Sequence, residues 1–135
     1  MNDDCIFCKI AGGQLPAAVL YDDEMLIAIM DAFPATKGHV LIIPKAHAEN
    51  LYDLPVETAA AILPLAQRIA IKMACTLKPD GLNIMQNNGK AAGQAVFHYH
   101  LHILPRYEND GVVFKSTPYL STPEERAEIA RQILQ

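Results

Sequence analysis

Charge is scarce in this sequence, and positive charge scarcer still. Only 19% of the 135 residues are charged, and 11 Lys and Arg stand against 15 Asp and Glu, a net charge of −4. That balance argues against wrapping a nucleic-acid backbone, which calls for a basic face. A compact anionic ligand needs only a local set of donors and remains open. Long apolar runs are missing too. No stretch approaches the roughly 20 uninterrupted apolar residues that span a bilayer, so no membrane partner is expected. Three cysteines are an odd number and suggest no disulfide framework. Met1-Asn2-Asp3-Asp4 lacks the basic and apolar regions of a signal peptide, and a reducing cytoplasm is the expected compartment. Repeats, low-complexity tracts and dividing linkers are absent from the sequence as well. What is there is a chain that is 51% hydrophobic, globular rather than disordered, and long enough for one domain over residues 1–135 with a core of its own.

The pattern along the chain predicts an α+β domain. Cys5 to Ala11 reads as a short helical turn stopped by Gly12-Gly13. Val19–Tyr21 and Met25–Met30 read as strands joined by a hairpin turn at Asp22-Asp23-Glu24, and Val40–Ile43 as another, closed by Pro44. Pro55 to Leu77 is the long helix, with Ile62, Leu65, Ile69 and Met73 at core-facing spacing. Pro64 inside it should kink the helix or mark its true start. Leu82–Gln86 and Val96–Leu104 read as strands, separated by a Gly- and Ala-rich loop, the second closed by Pro105. Thr122-Pro123-Glu124-Glu125 is a capping box with proline at the first helical position, so a terminal helix is expected over residues 124–134. Several strands and two main helices without strict βα alternation point to an antiparallel sheet.

The informative segment is Phe97-His98-Tyr99-His100-Leu101-His102-Ile103. A strand repeats every two residues, so the three histidines share one face while Phe97, Tyr99, Leu101 and Ile103 occupy the other, toward the helices. A histidine-rich solvated strand is one reading, but such faces usually also carry Thr, Lys or Glu. A metal site is another. Residues four apart on a strand lie about 13 Å apart, so one ion takes two of the histidines and leaves one over. A nucleophilic reading uses all three. Neutral imidazole is a covalent catalyst that titrates near working pH, and its neighbours can orient it and donate to phosphate oxygens. The nearby loop from Asn87-Asn88-Gly89 to Gly93-Gln94 adds amide donors and lets backbone approach a phosphate closely.

The order His-φ-His-φ-His after Gly93-Gln94 and an Asn-Gly loop resembles the histidine triad (HIT) superfamily of nucleotide hydrolases and transferases, and its bacterial Hit-like and Hint-like branch in particular. Cys5-Ile6-Phe7-Cys8-Lys9-Ile10, Asp31 followed by Pro34, and the run from Gly38-His39 through Pro44-Lys45-Ala46-His47 extend the resemblance over residues 5 to about 107. The remainder is a C-terminal extension with a helix over about 123–134, like that of bacterial members. The resemblance implies that His100 is the nucleophile and that His98, His102 and His39 belong to the catalytic set. Asn87 and Gln94 would lie around the phosphates and Asp31 would accept from ribose hydroxyls. Ile6, Phe7, Ile10, Ile29 and Leu41 would form the slot for a purine base, although each alone also reads as ordinary core. Ala95 departs from the family, which often has a hydroxyl residue there, and Asn88 stands where some relatives are acidic.

Cys5-x-x-Cys8 is open to three readings: a redox pair, two inert small residues, or half of a structural zinc site. No strand precedes it, as a thioredoxin-like pair would require. The resemblance implies the zinc set Cys5, Cys8, His47 and His98, while Cys75 reads as a buried small residue. It also implies a homodimer, and chemistry that requires no cofactor. The expected function is hydrolysis at the α-phosphate of nucleoside phosphoramidates or related nucleotides through a nucleotidyl-histidine intermediate. A dinucleoside polyphosphate hydrolase is the alternative within the enzyme class, and a nucleotide-binding adaptor with little turnover is the alternative outside it.

Overall fold

The computed structural model describes residues 3–135. The chain runs α1 (Ile6–Ala11), β1 (Val19–Asp22), β2 (Leu26–Met30), β3 (Val40–Pro44), α2 (Val56–Thr76), β4 (Gly81–Met85), a 3₁₀ turn (Lys90–Ala92), β5 (Leu101–Arg106) and α3 (Pro123–Ile133). All pairings are antiparallel, and the five strands lie in the order β1-β2-β3-β5-β4. The α+β reading of the sequence is correct.

The central strands β2, β3 and β5 are buried on both faces, and strand alternation sorts their side chains into two clusters. Leu26, Ala28, Val40, Ile42, Leu101 and Ile103 pack under α2 with Ile62, Leu65, Ala66 and Met73. Ile27, Ile29, Leu41 and Ile43 point the other way and meet Phe7 of α1. The strands therefore read as nearly continuous apolar runs rather than alternating ones. The β1–β2 turn is set by Asp23, whose Oδ1 accepts from the N–H groups of Met25 and Leu26, each at 2.7 Å.

By length and composition the 21-residue α2 could cross a membrane, but Thr58, Ile62, Leu65, Ala66 and Met73 are the buried row it lays on the sheet. Pro64 lies inside the continuous helix, so it is not the helix start.

The strand expected over residues 96–104 is shorter at its front and longer at its end. Regular pairing begins at Leu101 and runs through Pro105 to Arg106. Ahead of it, Tyr99 N–H donates to Ala48 O at 2.7 Å, and residues 96–98 form a bend. The alternation survives from Tyr99 onward, whereas Phe97, expected toward the helices, is 44% exposed. Pro105 is tolerated because β3 stops pairing at Ile103, leaving that side of β5 an edge.

Gly38 turns the chain into β3 at φ +92°, and an added Cβ would stand 2.5 Å from Leu77 Cδ1 and 3.2 Å from Pro105 Cγ. Left-handed backbone and filled space act together here. Gly38→Ala should lower unfolding free energy by about 2 kcal/mol, read as a lower urea midpoint at unchanged slope.

Candidate active site

The histidines sit on the α1 face of the sheet, where β5 enters its ladder. His98 is fully buried and held at three points. Its Nε2–H donates to Pro44 O at 2.7 Å, which leaves Nδ1 as a lone pair. That lone pair faces Cys5 Sγ at 3.4 Å and Cys8 Sγ at 3.5 Å, with His47 Nδ1 at 3.1 Å. Cys8 Sγ lies 3.3 Å from His47 Nδ1. The four candidate ligand atoms fall within 4.8 Å of one another. Tetrahedral zinc with bonds of about 2.1 to 2.3 Å sets ligands roughly 3.4 to 3.8 Å apart, a few tenths of an ångström from these separations. The donor set, with its unprotonated Nδ1, fits zinc. Cys75, expected buried, is exposed on α2.

Two residues on, His100 is buried and its Nδ1–H donates to His98 O at 2.7 Å. That bond fixes the tautomer: Nε2 carries the free lone pair. The edge of the Phe7 ring closes on the imidazole at 5.0 Å between centroids. Burial holds the His100 pKa below its usual range, so the ring is a neutral base.

His102 belongs to a second chain of fixed donors. Ala35 N–H donates to His39 Nδ1 at 3.1 Å, so neutral His39 carries its proton on Nε2. That Nε2–H donates to His102 Nδ1 at 2.9 Å, with Asp31 Oδ2 3.4 Å away. His102 is thereby left with Nε2–H as its remaining donor. Burial, then the neighbouring His100 and His39, push the His102 pKa down to about 4. Burial lowers His39 as well, although Asp31 pulls the other way. Asp31 is half-buried, and its Oδ1 accepts from Phe33 N–H at 2.8 Å. The structure thus brings His98, His100, His102, His39 and Asp31 into one row, with a lone pair on His100 beside a donor on His102.

The loop residues divide. Gln94 is buried with its side chain fully engaged: Oε1 accepts from Gly89 N–H at 2.8 Å, while Nε2 donates to Glu49 O at 2.6 Å and Val96 O at 3.2 Å. As it stands, this side chain builds the loop instead of facing open space. Asn87 is half-buried beside Gly93, whose φ is +92°. Of the apolar residues singled out, Phe7, Ile29 and Leu41 are core, Ile10 packs at its edge, and Ile6 is 49% exposed. Three partners escaped sequence reasoning: Ala35 N–H, Pro44 O and Glu49 O are main-chain groups with no residue-type signature. Arg106 was missed as well. It bonds Asp110, Asn83 and Val112 O, and only the Arg-x3-Asp spacing announces that clasp.

A family model, the HIT domain, matches residues 12–109. Protein hit of Bacillus subtilis is 42% identical over 134 residues, covering 97% of this chain and 92% of the relative. The adenylylsulfatase HINT3 of Arabidopsis thaliana is 42% identical over 110 residues, 82% of this chain and 56% of the relative. Among solved structures, a zinc-bound histidine triad family protein from Mycobacterium smegmatis superposes with a TM-score of 0.77 at 42% identity, covering 97% of this chain and 96% of the other. The chain belongs to the HIT family, whose members include nucleotide-binding proteins and nucleotide hydrolases.

Held neutral in the fold, His39 and His102 release to the usual value near 6.5 on unfolding. Below that pH the unfolded chain binds more protons, so the stability present above pH 6.5 is lost as pH falls toward 4. The urea midpoint should drop measurably from pH 7 to pH 5, and His102→Asn should flatten part of that slope. A midpoint that holds steady across this window would show that these imidazoles are not kept neutral.

Proposed function

We propose that the protein is a nucleotide hydrolase acting at the α-phosphate of nucleoside phosphoramidates or related nucleotides, with His100 as nucleophile. The observation that carries the reading is the 2.7 Å bond from His100 Nδ1–H to the His98 carbonyl. It leaves Nε2 unprotonated and directs it away from the main chain. Nucleophilic imidazole requires that tautomer, and a site that only bound a nucleotide would not.

In the first step Nε2 attacks the α-phosphorus. The P–Nε2 bond forms, the bond from phosphorus to the leaving amine or oxygen breaks, and the leaving group takes a proton from solvent. His102 Nε2–H, oriented through His39, is placed to donate to a phosphate oxygen as charge builds on it. In the second step water attacks phosphorus and gives up a proton to solvent, P–Nε2 breaks, and neutral imidazole returns. Asp31 offers Oδ2 to the ribose hydroxyls of a purine nucleotide, and the partly exposed Ile6 and Ile10 offer apolar surface to its base. With Ala95 in place of a hydroxyl residue, no side chain at that position helps the leaving group.

Structural zinc on Cys5, Cys8, His47 and His98 is part of the same proposal. Its support is the unprotonated His98 Nδ1 among two thiols and a second imidazole. Bound there, zinc would supply a closed crosslink between α1, the end of β3 and the triad. A homodimer is proposed too, supported by the exposed Leu63, Ile71, Leu82 and Ile84 on α2 and the edge strand β4.

Measurements on His100 and on the metal ligands check these assignments. His100→Ala should reduce turnover of an adenosine phosphoramidate at least a thousandfold while leaving nucleotide binding near its original strength. Rapid-quench mass spectrometry of the parent protein should find a nucleotidyl mass on the peptide containing residue 100. Near-normal turnover in the variant would replace this route with direct attack by water. For the metal, elemental analysis after metal-replete expression should give about one zinc per chain, and Cys8→Ser should lose both metal and thermal stability.

A further inference from the structure

Between β3 and α2 the chain crosses residues 45–55 without helix or strand, yet successive groups in it are committed to different partners. His47 Nδ1 lies 3.3 Å from Cys8 Sγ and 3.1 Å from His98 Nδ1, inside the candidate metal cluster. One residue on, Ala48 O accepts Tyr99 N–H at 2.7 Å and joins the segment to the triad. Glu49 O accepts Gln94 Nε2–H at 2.6 Å, and Leu51 N–H donates to Asn88 Oδ1 at 2.8 Å. The segment is also stiffened from within. Asp53 accepts Glu49 N–H at 3.0 Å and Asn50 N–H at 2.9 Å, while Asn50 Oδ1 accepts Tyr52 N–H at 2.9 Å. Local bonds of this kind fix the shape of a loop.

The bonds from Glu49 and Leu51 both end on the glycine-rich loop, 87–94, that follows β4. That loop is a closed ring. Gln94 N–H donates to Gly89 O at 3.1 Å and Gln94 Oε1 accepts Gly89 N–H at 2.8 Å, around the 3₁₀ turn Lys90–Ala92. Asn88 and Gln86 exchange two amide hydrogen bonds of 2.8 Å each. A ring so closed moves as one body, and its anchors, Asn88 and Gln94, each give a polar group to the segment after β3. Gln94 is the stronger anchor, because it is 4% exposed and both ends of its amide have partners.

We propose that residues 47–51 form a strap through which metal occupancy at His47 sets the position of the phosphate loop, so that zinc and a nucleotide phosphate bind with positive cooperativity. Within the cluster Cys5 and Cys8 belong to the start of α1 and His98 is locked on Pro44 O, whereas His47 is exposed and sits on the strap itself. A metal bond is what would fix its ring. From His47 to Leu51 is at most about 14 Å of chain, braced internally, so a displacement at one end reaches the other with little slack. By linkage the coupling is reciprocal: a phosphate that prefers the fixed loop strengthens metal binding by the same factor. Gln94 is then a positioning residue that acts on the phosphate through the loop. The inference rests on the zinc and nucleotide readings and is independent of whether His100 is the nucleophile.

Titration calorimetry of AMP and of adenosine into zinc-loaded and chelator-stripped full-length protein tests it. Base and ribose contribute to both ligands, so the ratio of the two affinities isolates the share of the phosphate. That ratio should fall about tenfold on stripping. In the loaded protein, saturating AMP should strengthen zinc retention against a competing chelator by the same factor, and adenosine should not; this arm needs no metal-free protein. Gln94→Met should show the low ratio with zinc bound and lose nothing further when stripped. Asn88→Ala, on the more open anchor, should lose part of the metal dependence. A ratio that ignores the metal, or zinc retention that ignores AMP, would overturn the proposal. So would full metal dependence in both variants, because the coupling would then run through α1. Failure of AMP and adenosine alike to bind the loaded protein would remove the nucleotide reading itself, and absence of zinc by elemental analysis would remove the metal reading, each a result distinct from a lost coupling.

Discussion

Both ring nitrogens and the carbonyl oxygen of His98 have partners, and the rest of the site is measured from it. Its Nε2–H is anchored on the last carbonyl of β3 and its carbonyl oxygen receives His100 Nδ1–H. Its Nδ1 meets the two thiols at the start of α1. A single imidazole thus joins a strand end, a helix start and the reacting side chain. Tilting its ring would move all three, and burying so polar a ring is tolerated because both of its nitrogens have partners.

The second row is built on the same logic with a different origin. Ala35 N–H cannot change its role, so it dictates where the proton sits on His39 and, one bond further, on His102. Two independent backbone groups, one amide and one carbonyl, therefore present opposite faces of two neighbouring imidazoles. Burial keeps both rings uncharged, so the polarity of the pair is set by hydrogen-bond direction and not by titration. The one carboxylate nearby, Asp31, is close enough to bias His39 without neutralising that effect.

Much of this was legible in residue order. Period-two spacing placed Tyr99, Leu101 and Ile103 opposite the histidines, and the capping box located α3 within one residue. The front of β5 was not legible. Val96 to His100 has strand composition, but tertiary partners claim its groups: Ala48 takes the Tyr99 amide and Pro44 takes the His98 ring. Gln94 shows the same gap in another form. Its type suggested a donor for phosphate, and its environment turned that amide into a brace across the loop. Main-chain acceptors leave no mark on composition, so no reading of side chains alone could have assigned them.

Gly38 carries a consequence that reaches beyond its own turn. It directly precedes His39, and the space its missing side chain leaves is occupied by Leu77 from the end of α2. A residue on the helical side of the sheet is thus pressed against the segment that orients the imidazoles on the other side. Close-packed interiors transmit displacement with little loss. The volumes at 38, 77 and 105 are therefore one shared quantity: a bulkier residue at any of the three has to be matched by a smaller one among the others if His39 is to keep its aim.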